Sequence, residues 1–230
     1  MLDLGCGPGF ASFDLATLVG NEGKVTGFEI SQSYVDYANR QARLREISNT
    51  EFIQGSVYNM PFAENQFDIV YCRWVLSWVR NVPEIITAVS RILKPGGVFL
   101  IQEYAHWGTF RLEPDVPEIR KVVEACRQSW RIMDSEIDIA PSLPNLFVSN
   151  HLTLRHHAML EKVSSPRNSL WQWPKTFLHV YASQLIQMGL LTNEEQQAFE
   201  ENWPMLENDP SAFFISPMMM EFIAQKVEEL

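Results

Sequence analysis

The chain has 230 residues, of which 46% are apolar and 20% charged, an ordinary globular balance that excludes a disordered polypeptide. Its length suits one large domain, or one domain with an insertion, and chains of this size bury roughly 70–75% of their unfolded surface. A formal net charge of −10 argues against a general nucleic-acid binder, and no apolar run approaches the ~18 residues that span a bilayer.

Cys6, Cys72 and Cys126 are far apart and odd in number. They form neither a disulfide framework nor a Cys-x-x-Cys pair, which points to a reducing, cytoplasmic compartment. The first residues carry no basic segment and no long apolar stretch, so they do not read as a signal peptide.

Residues 1–105 alternate between two textures. Short apolar runs at 1–4, 24–30, 51–54, 67–72 and 98–103 read as strands, with helix-like stretches between them. The first helix covers 10–19, and Ser31 caps a second that runs to about Glu46. Asn81 with Glu84 starts a third, carrying Ile85, Ile86, Val89, Ile92 and Leu93 at helical spacing. Lys94-Pro95-Gly96-Gly97 stops it. Such alternation predicts an α/β fold, a doubly wound and mostly parallel sheet with helices on both faces.

After His106 the texture changes. Asp115 with Glu118 is expected to start a helix, followed by a loop around Pro141 and Pro144 and a strand over 152–161. The Trp-rich stretch 166–174 reads as a break. Phe177, Leu178, Tyr181, Leu185 and Met188 mark a helix that Gly189 stops, and Thr192 with Glu195 caps the next. Residues 213–215 and 221–226 read as arms of a final strand or hairpin. There is no repeat and no low-complexity linker, so a single domain is expected: a core over 1–105, a helical cover over 106–210 and a final strand region over 211–230.

The strongest signal is Leu2-Asp3-Leu4-Gly5-Cys6-Gly7-Pro8-Gly9. A strand ends at Leu4, and three alternate glycines lead into a helix whose first N–H groups have no partner within the helix. Glu29 ends the second strand, 20 residues beyond Gly9, a spacing that suits a carboxylate accepting hydrogen bonds from a ribose diol. A dinucleotide turn wants its third glycine where Phe10 stands, and a phosphate loop wants a Gly-Lys-Ser/Thr ending that is missing. Asp3 at the strand end suits a cationic ligand better than a diphosphate.

These residues resemble the first motif of class I S-adenosylmethionine (SAM) methyltransferases, and the likeness continues in order down the chain. Glu29 resembles the family's ribose-binding acid. Gly55-Ser56-Val57-Tyr58-Asn59-Met60-Pro61-Phe62 is similar to its Gly-Asp-Ala-x-x-Leu-Pro-Phe segment. Phe67-Asp68-Ile69-Val70 resembles its fourth strand, and Leu93-Lys94-Pro95-Gly96-Gly97 its turn into the fifth. The style is that of the ubiquinone- and menaquinone-biosynthesis-like members. The resemblance implies a Rossmann-like sheet of seven strands and SAM as methyl donor. It implies in-line displacement onto O, N or C of a small, partly apolar acceptor, leaving S-adenosylhomocysteine (SAH). The cofactor site it implies is Asp3, Gly5, Cys6, Gly7, Gly9, Glu29, Ile30, Ser56, Val57 and Arg73.

Two departures bear on that reading. Ser56 stands where the family has an aspartate that accepts a bond from the adenine amino group. The chain also begins inside the first strand, where the family carries some tens of residues, so the expectation is that an N-terminal segment is lacking.

A base is needed only for an acceptor that arrives protonated. Glu103, Tyr104 and His106 follow the fifth strand, and His106 is the first choice because an imidazole titrates near neutrality. His156 and His157, adjacent on a strand, point to opposite faces and do not share a metal. Trp74, Trp78, Trp107, Trp171 and Trp173 either wall an apolar acceptor or pack the added segment. No Asn/Asp-Pro-Pro-Tyr follows the fourth strand, which disfavours DNA amino groups as acceptors. A methyltransferase fold retained for binding without catalysis is the second reading, and a nicotinamide oxidoreductase, disfavoured by the glycine spacing, is the third. The oligomeric state is not written in the sequence.

Overall fold

In the computed structural model, which describes residues 1–227, strand β1 (Leu2–Leu4) is an interior strand of the main sheet, third of its seven. All three of its side chains are buried, as the central strand of a parallel sheet requires. Its neighbours are β2 (Val25–Glu29) and β4 (Phe67–Arg73). Outside these lie β3 (Thr50–Gln54) and β5 (Leu93–His106). All four pairings are parallel. Strands β7 (Leu152–Leu160) and β10 (Met218–Lys226) complete seven strands in the order β3-β2-β1-β4-β5-β10-β7. The order reverses at β1, the switch point where open α/β sheets take their ligands.

Register divides the sheet into two faces. Asp3 is level with Gly27 and Tyr71, on the side of helix α1 (Phe10–Val19), whose Ser12 it bonds. Helix α2 (Gln32–Leu44) buries Val35, Ala38 and Ala42 in one cluster with Cys6, Phe13 and Phe52. Helix α3 (Val82–Ile92) buries Ile85, Ile86, Val89 and Ile92 as its spacing predicts. No side chain caps it, and β5 follows at Leu93 without an intervening loop.

The structure departs from the expected elements at several places. Helix α4 (Pro117–Ile132) starts after Val116, not at Asp115, which instead pairs with Arg120. The expected loop at Pro141 and Pro144 is a 3-10 turn running into helix α5 (Leu143–Ser149), because Pro144 sits in the first turn where its missing N–H is tolerated. Helix α6 (Gln172–Gln187) begins inside the expected break, with Pro174 again in a first turn. Helix α7 (Asn193–Asn208) carries the expected capping box of Thr192 and Glu195.

The final segments do not form a hairpin. Strand β9 (Phe213–Ile215) pairs antiparallel with β6 (Arg111–Glu113) and β8 (Val163–Ser164) in a second, three-stranded sheet, whereas β10 joins the main one. Of the region 211–230, residues 228–230 lie outside the described residues.

Contacts gather the chain into two compact units. The first holds Met1–Glu103, Ala140–Ala158 and, of the described residues at the end of the chain, 220–227. The second holds Tyr104–Ile139 and Met159–Met219. Residues 140–158, read as part of the cover, therefore group with the first unit. No helix among the described residues is long and apolar enough to cross a membrane.

Candidate functional site

The glycine turn joins β1 to α1 in the first unit. Gly5, Gly7 and Gly9 all have positive φ, at 70°, 53° and 85°. Gly9 is the residue before the helix and offers it no capping side chain. Gly5 has a packing reason as well, since a Cβ there would stand 2.3 Å from Val75 Cγ2. Gly7 has none, because no atom lies within 4 Å of its missing Cβ. That open face leaves the backbone free to meet a ligand.

Glu29 closes the turn from below. Its Oε2 accepts the Gly7 N–H at 3.0 Å, and its Oε1 accepts the Ser31 N–H at 3.0 Å. Each carboxylate oxygen retains a lone pair beyond these bonds. Asp3 is buried, and the Ser12 hydroxyl donates to its Oδ2 at 2.5 Å. Burial pushes the Asp3 carboxyl up to about 6, against the pull of Ser12 and Arg73. Cys6 turns inward, its buried thiol pushed far up by desolvation, while its N–H bonds the Phe28 carbonyl. Only its backbone lies along the turn.

Beyond Glu29 the chain meets the other expected cofactor residues. Ile30 is exposed, and its carbonyl accepts Gln54 Nε2 at 3.0 Å. The Gly55 N–H donates to the Glu29 carbonyl at 2.9 Å, and Ser56 and Val57 follow it in the chain. Ser56 Oγ accepts the Tyr58 N–H at 3.3 Å, and Val57 is half-exposed. The helix starts also frame an open cavity of about 390 Å³, lined by Pro8, Phe10, Ser33, Tyr34, Tyr37 and Arg40. Its aromatic lining was not anticipated, though Phe10 stands where a dinucleotide turn would have glycine.

At the end of β4 the Arg73 guanidinium lies 4.9 Å from the centre of the Trp74 ring. Trp74 has φ +56°, a rare conformation for so bulky a residue. Holding it costs on the order of 1–3 kcal/mol. Glu103, grouped with the bases in the sequence, is completely buried and bonds backbone instead: Oε1 accepts the N–H groups of Val75 at 2.7 Å and Leu76 at 2.6 Å. Oε2 makes no hydrogen bond of normal geometry. Burial is the largest influence and pushes the carboxyl up to about 7, while the neighbouring N–H groups and the Ser77 hydroxyl pull it down.

Tyr104 and His106 belong to the second unit. Tyr104 is buried, edge-on to Trp107 at 5.1 Å. His106 is exposed, with Nδ1 3.8 Å from Asp138 Oδ2. Asp138 Oδ1 accepts the Trp107 N–H at 2.6 Å, so the carboxylate is anchored beside the imidazole. Asp138 carried no sequence signal, because 31 residues separate it from Trp107. Trp107 packs against Trp130 and Phe177, and Trp171 against Trp203 and Phe214, so these indoles form core. His156 and His157 are both exposed on β7, and His156 lies 3.5 Å from Glu221.

Comparison with known proteins shows the family and the fold. A family model described as a methyltransferase domain matches residues 1–162. The demethylmenaquinone methyltransferase of Lactococcus lactis is 37% identical over 109 residues, 46% of this chain and 42% of that protein. The chain thus spans less than half the length of this curated relative. The YcgJ protein of Bacillus subtilis superposes with a TM-score of 0.64 at 18% identity, over 99% of this chain and 92% of that one. Geranyl diphosphate C-methyltransferase of Streptomyces coelicolor, solved with Mg2+, geranyl diphosphate and SAH, gives a TM-score of 0.60 at 18% identity, over 98% and 72%. At these identities the two structures bear out the Rossmann-like fold.

Proposed function

The chain belongs to the methyltransferase-domain family, and from that premise we propose that it transfers a methyl group from SAM to a small, partly apolar acceptor. The observation that carries the reading is the pairing of Gly7 with Glu29, an open glycine backbone held against a carboxylate. Bound SAM would supply a methyl group already activated on a sulfonium. Glu29 would accept the ribose hydroxyls, and Gly7 would allow close approach. Asp3, Gly5, Cys6 and Gly9 would shape the turn, Cys6 through its backbone alone. Ile30, Ser56 and Val57 would flank the adenine, with Ser56 Oγ as an uncharged acceptor. Arg73 would face the cofactor's carboxylate.

For an acceptor that arrives protonated, His106 is the proposed base, with Asp138 orienting it and Tyr104 the second candidate. Residues 106–210 are proposed to recognise the acceptor. The charge of −10 supports a small molecule over a nucleic acid, and the free cysteines support a cytoplasmic setting. Demethylmenaquinone and geranyl diphosphate, named for the relatives above, make quinols and prenyl compounds the first acceptors to try. The experiment is incubation with methyl-labelled SAM and such a panel. Label in an extractable product supports transfer. SAH binding with no transfer to any acceptor would favour the binding-only reading instead.

A further inference from the structure

The turn after β4 is strained at Trp74, and the bonds that hold it come from β5. The Gln102 carbonyl accepts the Trp74 N–H at 3.0 Å, and Glu103 Oε1 accepts those of Val75 and Leu76. The same turn presents Val75 to the glycine turn, where its Cγ2 fills the space that Gly5 leaves. A buried carboxylate, a left-handed tryptophan and a wedge on Gly5 thus form one connected path. A well-packed neutral side chain would have sufficed for packing alone, since an uncompensated buried acid is costly. What the carboxylate adds is two charge-assisted bonds to adjacent N–H groups, roughly twice as strong as neutral ones.

We propose that Glu103 is a positioning residue: its carboxylate holds the Trp74–Leu76 turn and, through Val75, sets the geometry of the glycine turn at Gly5. The inference deepens the proposed function, on which its relevance to the nucleoside rests. In its ionised form Glu103 holds the turn, and in its protonated form it gives up the charge-assisted bonds. The groups facing it are the Cys72 thiol on β4, which burial keeps protonated, and the N–H groups of Val75, Leu76 and Ser77 with the Ser77 hydroxyl. Glu221 on β10 bonds Gln102 at the preceding position. Around the glycine turn, the charged neighbours are Asp3, Glu29 and Arg73.

The test is a pH titration of backbone amide resonances in the ligand-free protein. In the wild type, Val75, Leu76 and Gly5 should titrate together with a midpoint near 7. Gly5 should show a second transition near 6 from Asp3. Glu103→Gln should abolish the step near 7 at all three and leave the Asp3 step. Should that variant not fold, Val75→Ala decides: Val75's replacement and Leu76 still titrate near 7, and Gly5 no longer follows. A Gly5 amide that ignores the step near 7 in the wild type, or keeps it in either variant, overturns the proposal. SAH affinity measured alongside should rise with pH through 7 in the wild type and lose that dependence in Glu103→Gln. Because the amide titration needs no ligand, failure of SAH to bind the wild type counts against the nucleoside reading alone.

Discussion

Gly7 and Glu29 are 22 positions apart, yet the Gly7 N–H donates to Glu29 Oε2 at 3.0 Å. The bond joins the end of one central strand to the end of the next, and it ties the loop that would carry the nucleoside to the acid that would hold its ribose.

Glu29→Ala removes both that tie and the ribose acceptor. SAH binding should weaken by about 1–3 kcal/mol, the usual range for bonds to a charged group. Calorimetric titration reads this directly, and an unchanged affinity would sink the ribose assignment.

The three glycines should not respond alike to a methyl group. Gly5→Ala combines a positive φ with a Cβ 2.3 Å from Val75, and should lose about 2–4 kcal/mol of stability. Gly7→Ala meets no neighbouring atom and should lose only about 1–2 kcal/mol. Urea denaturation of the two variants compares them, and equal losses would contradict the packing account.

Which parts of this site could be read beforehand follows from how local their causes are. The glycine turn, Glu29 and the Thr192 capping box are set by residues a few positions apart or by strand-end spacing, and each stands in the structure at its expected place. Helix α5 is not legible in the sequence because Pro141 and Pro144 read as breakers, whereas proline in a first helical turn is no obstacle. The hairpin expected of β9 and β10 failed because both partners of each strand lie elsewhere in the chain. Glu103 showed only its type. Its burial against the turn 27–28 residues earlier is a product of the parallel pairing of β4 and β5.

Asp3 carries a stability signature that can be isolated. Its folded carboxyl titrates at about 6 against an ordinary 3.8, so between those values the folded state holds a proton that the unfolded state has lost. Its contribution is fully present below about 3.8 and is lost as pH rises through 6. Asp3→Asn keeps an acceptor for Ser12 and removes the buried charge. It should therefore gain about 2–3 kcal/mol relative to wild type at pH 8 and nothing near pH 3.5. A difference that does not change with pH would contradict the burial argument. Glu103, raised to about 7, adds a slope of the same sign to the wild type, which the variant retains.

In the second unit, Thr192 Oγ1 accepts the Glu195 N–H at 3.2 Å while Glu195 Oε2 accepts the Thr192 N–H at 2.8 Å. Thr192→Ala should lower stability by about 1 kcal/mol. Its thermal midpoint should fall by about 2–4 °C, and no fall would show that the box is idle in solution.

The central claim is that the glycine turn and Glu29 take the nucleoside of SAM. Thermal melting with SAH, and with NAD as the control, tests it most directly. At a hundredfold excess over Kd a bound ligand adds about 2.7 kcal/mol, on the order of 5–10 °C for a chain of this size. SAH should give that shift and NAD none. A shift with NAD, or no shift with SAH, would contradict the claim.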